Sequence, residues 1–239
     1  MSIYAIADLH LSFSVEKPMD IYGGEWVGHT EKLKDKWEKI IMPDDIVIIP
    51  GDISWALKYD DALIDLKWIS RLPGKKVFVK GNHDLWWNSI NKLNKIDENL
   101  FFLQNSYYIA EGYAICGSRG WVCPGDDDFT QHDDKIYKRE LGRLKLSLEE
   151  ARRAGYGALS EGESKGDIIG VLHFPPTNDK LQPSGFTELF EKYGVKKVIY
   201  GHLHGKDGFK NGLRAIFNGV EYMLVSLDYL KCTPRILVD

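Results

Sequence analysis

The chain has 239 residues, 44% hydrophobic and 28% charged, the balance of a folded globular protein of one large α/β domain or two small ones rather than of a disordered chain. Lys plus Arg number 31 against 35 Asp plus Glu, a formal charge of -4, so there is no basic excess to neutralise an extended polyphosphate backbone and long nucleic acid is not an expected partner. No run approaches the ~18 apolar residues that cross a bilayer, and Asp8 and His10 interrupt the N-terminal apolar run before a signal sequence forms, so the expected location is the cytoplasm.

The first apolar, β-branched run covers residues 3–7 and reads as a buried strand. Leu33, Trp37, Ile40 and Ile41 then recur at helical spacing, residues 46–49 give a second strand, Leu63, Leu66 and Ile69 a second helix, and residues 77–79 a third strand. Strand, helix, strand, helix implies βαβ crossovers and a largely parallel sheet. Further strands are expected at 113–116, 168–172 and 198–200. Between them, residues 125–166 open with Asp126, Asp127, Asp128, Asp133 and Asp134 and continue as a charged helical pattern through Ile136, Tyr137, Leu141, Leu144 and Leu148. This segment is expected to be a helical excursion over the sheet edge. The last third changes character: runs at 214–217, 222–226 and 235–238 are separated by Asn218-Gly219 and Thr233-Pro234, which predicts antiparallel pairing in a second sheet or on the far side of a mixed one. No repeat, linker or composition break divides the chain, so a single domain over 1–239 is expected.

Each of five strand ends delivers a metal-type ligand. Asp8 and His10 follow the first strand, Gly51-Asp52 the second, Gly81-Asn82-His83-Asp84 the third, His173 the run at 168–172, and Gly201-His202-Leu203-His204 the run at 198–200. In open α/β sheets the carboxyl ends of parallel strands share one edge, so residues nearly 200 positions apart converge there. Oxygen and imidazole donors without sulfur suit manganese, iron or zinc. The three cysteines, Cys116, Cys123 and Cys232, form no Cys-x-x-Cys pair and read as buried, inert thiols.

This motif series resembles that of the calcineurin-like metallophosphoesterase superfamily, over residues 8 to 204. The resemblance implies a four-layer α/β/β/α sandwich, two packed mixed sheets flanked by helices, with a dinuclear centre of two divalent cations, manganese first and iron or zinc as alternatives. It implies Asp8, His10 and His204 on one metal, Asn82, His173 and His202 on the other, and Asp52 bridging both. It also implies that His83 stays off the metals and acts on the leaving group, with Asp84 orienting its ring. Two cations can clamp the attacking and leaving oxygens of an in-line displacement and generate a bridging hydroxide at neutral pH. The implied activity is hydrolysis of a small phosphorylated substrate, a phosphate monoester or diester; the alternatives are a nucleotide-linked pyrophosphohydrolase and, from another class, a non-catalytic protein-binding scaffold. An unbroken ligand set together with His83 favours the enzyme. The protein phosphatases of the superfamily continue the second motif as Gly-Asp-x-x-Asp-Arg, whereas here Gly51-Asp52 runs into Ile53-Ser54-Trp55-Ala56. That departure points away from protein phosphatase activity and toward the stand-alone bacterial phosphohydrolases.

Other residues read more plainly. His29 and His132 match no motif position and are expected to be solvated or locally bonded. The Asp126–Asp134 cluster lacks the Gly and distal Glu of a calcium loop, and Gly201 to Lys206 is one residue short of a phosphate loop, with Asp207 in place of Ser or Thr. Trp55 is expected in the core, whereas one of the neighbouring Trp86 and Trp87 is expected to line the cleft, because the two cannot face the same core. Arg119, Arg139 and Arg143 are candidates for substrate contact against a default, shared with Lys138, of solvated helix-face residues.

Overall fold

In the computed structural model, which describes residues 1–159 and 162–239, the chain folds into two mixed sheets with helices on both outer faces. The first sheet joins β1 (Ile3–Ala5), β2 (Ile46–Pro50), β3 (Lys75–Val79) and β4 (Leu100–Phe102) in parallel, with β11 (Arg235–Val238) antiparallel on the free side of β1. The second runs β5 (Tyr107–Ala110), β6 (Tyr113–Ser118), β7 (Ile168–Leu172), β8 (Lys197–Tyr200), β10 (Val220–Leu224) and β9 (Ile216–Phe217); β6, β7, β8 and β10 are parallel, and β5 and β9 are antiparallel edges.

The period of two along each strand sorts side chains between layers. Along β2, Ile46 and Ile48 enter the core between the sheets, where Ile3, Val77, Ile115, Ile169 and Ile199 meet them. The alternate residues Val47 and Ile49 face outward onto Leu33 and Trp37 of α1 (His29–Ile40) and Leu66 and Ile69 of α2 (Tyr59–Ser70). Between β3 and β4 lies the single turn α3 (Ile90–Leu93). The outer face of the second sheet is covered by α4 (Gln131–Arg153) and α5 (Gly185–Lys192), which bury Leu144, Leu148, Phe186 and Phe190. The result is the expected four-layer sandwich.

Three local expectations are corrected. The segment 125–166, of which residues 160–161 lie outside the described residues, holds α4, a layer of the sandwich rather than an excursion over its edge: Tyr137, Leu144, Leu148 and Ala151 are buried against the sheet. The acidic turn before it is a start signal, in which Thr130 and Asp133 form a reciprocal capping box. At the C-terminus, Asn218 and Gly219, with φ of 48° and 80°, turn β9 into β10 as a tight hairpin, yet β10 itself runs parallel to β8. Finally, β4 and β5, three and four residues long, are strands not included among those expected from the sequence. Cys116, Cys123 and Cys232 are buried and free.

Candidate metal centre

The parallel strands of both sheets end at one edge, and there the sheets are tied together. Ala7, just past β1, forms an isolated bridge with Ser226, just past β10, and Asp8 accepts the backbone N–H of His202 across the gap between the sheets at 3.0 Å. Close approach of the loops needs glycine: a Cβ on Gly81 would stand 2.1 Å from Asp52 Oδ1, and one on Gly201 2.5 Å from Asp8 Oδ2. Backbone φ is positive at Asp8 (60°), His10 (46°), Asp52 (51°) and His202 (71°). Left-handed backbone at non-glycine residues costs roughly 1–2 kcal/mol each, and four of the positions carrying it are expected ligands.

Two groups of donors result. Asp8, His10 and His204 form one, Asp52, His173 and His202 the other, with the donor atoms of each group within 4.8 Å of one another. Asp52 stands between them, its Oδ2 at 3.9 Å from His10 Nε2 and 3.4 Å from His173 Nε2. Asn82 Oδ1 joins the second group, 2.6 Å from His173 Nε2 and 3.1 Å from His202 Nδ1.

The arrangement fits divalent cations. Asp8 and Asp52 are almost fully buried, and burial raises the pKa of both carboxyls by more than the neighbouring histidines and the backbone N–H groups of His202 and His83 lower it. Burial drives His173 and His202 down to about 3, which keeps the imidazoles neutral as ligation demands. His10 Nδ1 is buried with no hydrogen-bond partner among the described residues. A cation between these groups reverses the carboxylate penalty.

Partners outside the two groups fix ring orientation. His173 Nδ1 lies 2.9 Å from the Pro50 carbonyl, so it holds the proton and leaves Nε2 as the donor. His204 Nδ1 meets Asp228 Oδ1 at 3.0 Å, and Asp228 Oδ2 accepts the Gly205 N–H at 2.9 Å. Burial alone would lower the His204 pKa, but Asp228 and Asp8 raise it overall. Asp228 was missed in the sequence, although it follows the run at 222–226 much as Asp8 follows the first strand. Asp228→Ala is expected to weaken metal binding ~10- to 100-fold, measured by titration with a competing chelator; unchanged affinity would remove Asp228 from the centre.

His83 stands apart from both donor groups. It is exposed, its ring 4.3 Å from that of Trp55 and 5.9 Å from that of His10. Asp84 does not orient that ring. Its fully buried carboxylate accepts the backbone N–H groups of Gly81 (2.7 Å), Asp52 (3.0 Å) and Ile53 (2.9 Å), so it clamps the ligand loops after β2 and β3 to each other. His29, off the motif series, is buried and bonded to the Trp26 and Leu9 carbonyls.

A cleft of about 830 Å³ opens from His10, Asp52, His83, His202 and His204. Its wall includes Trp55, not Trp86 or Trp87, which pack on each other and on Phe102. Trp55 is placed there by stacking on His10, ring centres 4.5 Å apart. Arg119, Arg139 and Arg143 do not line this cleft. They converge on the fully buried Glu140 at 3.5, 3.2 and 2.9 Å, while the Arg119 carbonyl accepts the His173 N–H at 3.0 Å.

The fold and the strand-end series define a metallophosphoesterase, and the chain belongs to the calcineurin-like phosphoesterase family, whose model matches residues 1–206. No curated protein matches the sequence significantly. Among solved structures the chain is similar to the phosphopantetheinyl hydrolase of Mycobacterium tuberculosis, at 16% identity and a TM-score of 0.56, covering 99% of this chain and 95% of that one. It is also similar to a protein of unknown function, AQ665, from Aquifex aeolicus, at 16% identity and a TM-score of 0.52, covering 98% and 95%. At this identity the likeness concerns the fold. No helix among the described residues is long and apolar enough to cross a membrane.

Proposed function

We propose that the chain is a cytoplasmic hydrolase that uses two divalent cations to cleave a phosphate monoester or diester of a small molecule. The observation that carries this is the position of Asp52, within 3.9 and 3.4 Å of donors from both groups. Asp8, His10, His204 and Asp52 would hold one cation and Asn82, His173, His202 and Asp52 the other; the mixed carboxylate, amide and imidazole set suits manganese, with iron or zinc as alternatives. When bound, such a pair supplies positive charge to the phosphoryl oxygens and makes water acidic enough to attack at neutral pH. The chain's own residues do the rest. Asp228 and the Pro50 carbonyl hold two imidazoles in their working tautomers. Asp84 fixes the spacing of the two ligand loops. His83, facing the cleft, delivers a proton from its imidazole nitrogen to the departing oxygen. Arg119, Arg139 and Arg143 already share Glu140, so their role in this reading is to anchor α4 at the strand ends beside His173, and a substrate contact would have to compete with that carboxylate.

A panel assay tests the proposal: protein loaded with manganese, iron or zinc against aryl phosphate monoesters and diesters, cyclic nucleotides and dinucleotide pyrophosphates. Hydrolysis of at least one ester is expected, lost with chelator and restored by added metal. Cleavage of the pyrophosphates alone would replace the ester reading with a pyrophosphohydrolase, and no turnover with any metal would leave the scaffold.

A further inference from the structure

The cleft is far larger than the reacting group needs. At about 830 Å³ it falls within the ~300–1,000 Å³ of sites that enclose a whole organic ligand, while a phosphoryl group fills only its metal-facing end. Beyond that end the wall is made by Met19, Tyr22, Trp26, Phe209 and Tyr229, with Lys206 and Lys231 among them.

These rings differ in what already occupies them. Trp55 is stacked on His10 and carries the Lys17 ammonium 3.2 Å above its ring centre. Trp26 is buried with its ring against His10, His29 and His204. Phe209 and Tyr229 meet edge to face at 5.0 Å; Tyr229 also carries the Arg214 guanidinium at 5.4 Å, whereas among the described residues no second ring or cation lies on Phe209. Tyr22 is 65% exposed, and among the described residues no ring or cation is stacked on it. It sits on a lip made of two short 3-10 turns, Met19–Tyr22 and Gly24–Trp26, in which Gly23 and Gly24 line the cleft without side chains and a Cβ on either would have nothing within 4 Å.

We propose that this wall is a stacking subsite for a planar heteroaromatic group, and that the physiological ester joins such a group, through a short linker, to the phosphate at the metal centre. The inference rests on the phosphohydrolase reading above and names its substrate class. An alkyl chain gains by enclosure, ~25 cal/mol per Å² removed from water, and an open rim with Tyr22 two-thirds exposed encloses it poorly. A flat ring needs only one face, and aromatic stacking on single side chains is sequence-tolerant and substantial. Lys206 and Lys231 add donors for the acceptor nitrogens or a second anion that heteroaromatic substrates carry.

The test separates the subsite from the chemistry. Metal-free protein is titrated with adenosine, ribose and 1-octanol, followed by saturation-transfer NMR and by quenching of tryptophan fluorescence. Metal-loaded protein is then assayed for competition by adenosine 5′-phosphate, ribose 5-phosphate and octyl phosphate against an aryl phosphate reporter. We expect saturation at the adenine protons without metal, adenosine 5′-phosphate binding at least roughly fivefold tighter than ribose 5-phosphate, and that ratio collapsing toward one in Tyr22→Ala and Phe209→Ala. Tyr22 is too exposed for its removal to unfold the chain. Equal affinities for the adenosine and ribose esters, a preference for octyl phosphate, or variants that weaken all three esters alike would each overturn the subsite. Saturation of adenine in a protein that hydrolyses nothing would support the subsite while sinking the hydrolase reading.

Discussion

Asp52→Ala is expected to lose both metals rather than one. Elemental analysis of the loaded wild-type protein should approach two divalent equivalents per chain, and the variant should fall below one, because Asp52 Oδ2 lies near imidazole nitrogens of both groups, 3.9 Å from His10 Nε2 and 3.4 Å from His173 Nε2. Turnover should fall by at least the ~10²–10³-fold that removal of one preorganised charge-stabilising group produces. Asp52 Oδ1 also accepts the His83 N–H at 2.9 Å, so Asp52→Asn, which keeps an acceptor there, serves as the folding control. A variant that retains two tightly bound metals would dismiss the shared-ligand assignment.

His83→Ala has the opposite signature. Both metals should remain, since His83 belongs to neither donor group, while kcat falls by ~10²–10⁴ on esters with poor leaving groups. Activated aryl esters, whose oxygens leave without a proton, should lose much less. Plotting log kcat against leaving-group pKa for wild type and variant gives the test: two parallel lines, or one missing metal equivalent, would reject the general-acid role. The exposed ring lies against Trp55, so the substitution removes no core packing.

The strand ends were legible because each motif couples a chemical type to a backbone event, a strand giving way to a glycine turn, and the order of parallel strands then forces convergence. What surrounds the centre was not. Asp84 adjoins His83 in sequence, and adjacency suggested a partner for its imidazole, yet three backbone N–H groups from two loops compete for the carboxylate and win. Asp228 lies behind a strand whose parallel alignment with β8 runs against the hairpin signal before it. Arg119, Arg139 and Arg143 read as a charged surface, but Glu140, one turn from Arg143, is fully buried and collects them. Trp55 lines the cleft and neither Trp86 nor Trp87 does, because apolar pattern reports that a ring will be covered, not whether a histidine or a phenylalanine covers it. Fold class survives such errors because it depends on the alternation of layers, whereas each site partner depends on one side chain's local competition.

The left-handed backbone at Asp8, His10, Asp52 and His202 bears on what holds the strand ends in place. Glycine accepts such a conformation without cost, so replacing any of these residues by glycine relieves roughly 1 kcal/mol of conformational penalty, and at Asp8 and Asp52 it also removes a buried carboxylate. Against that backbone term stand the His202 and His83 N–H groups that Asp8 and Asp52 accept and the stacking of His10 on Trp55, all of which glycine would forfeit. The centre therefore holds four residues whose backbone is strained and whose side chains bind the strand ends together, so local strain and local cohesion are carried by the same positions, as expected where function and stability trade against each other.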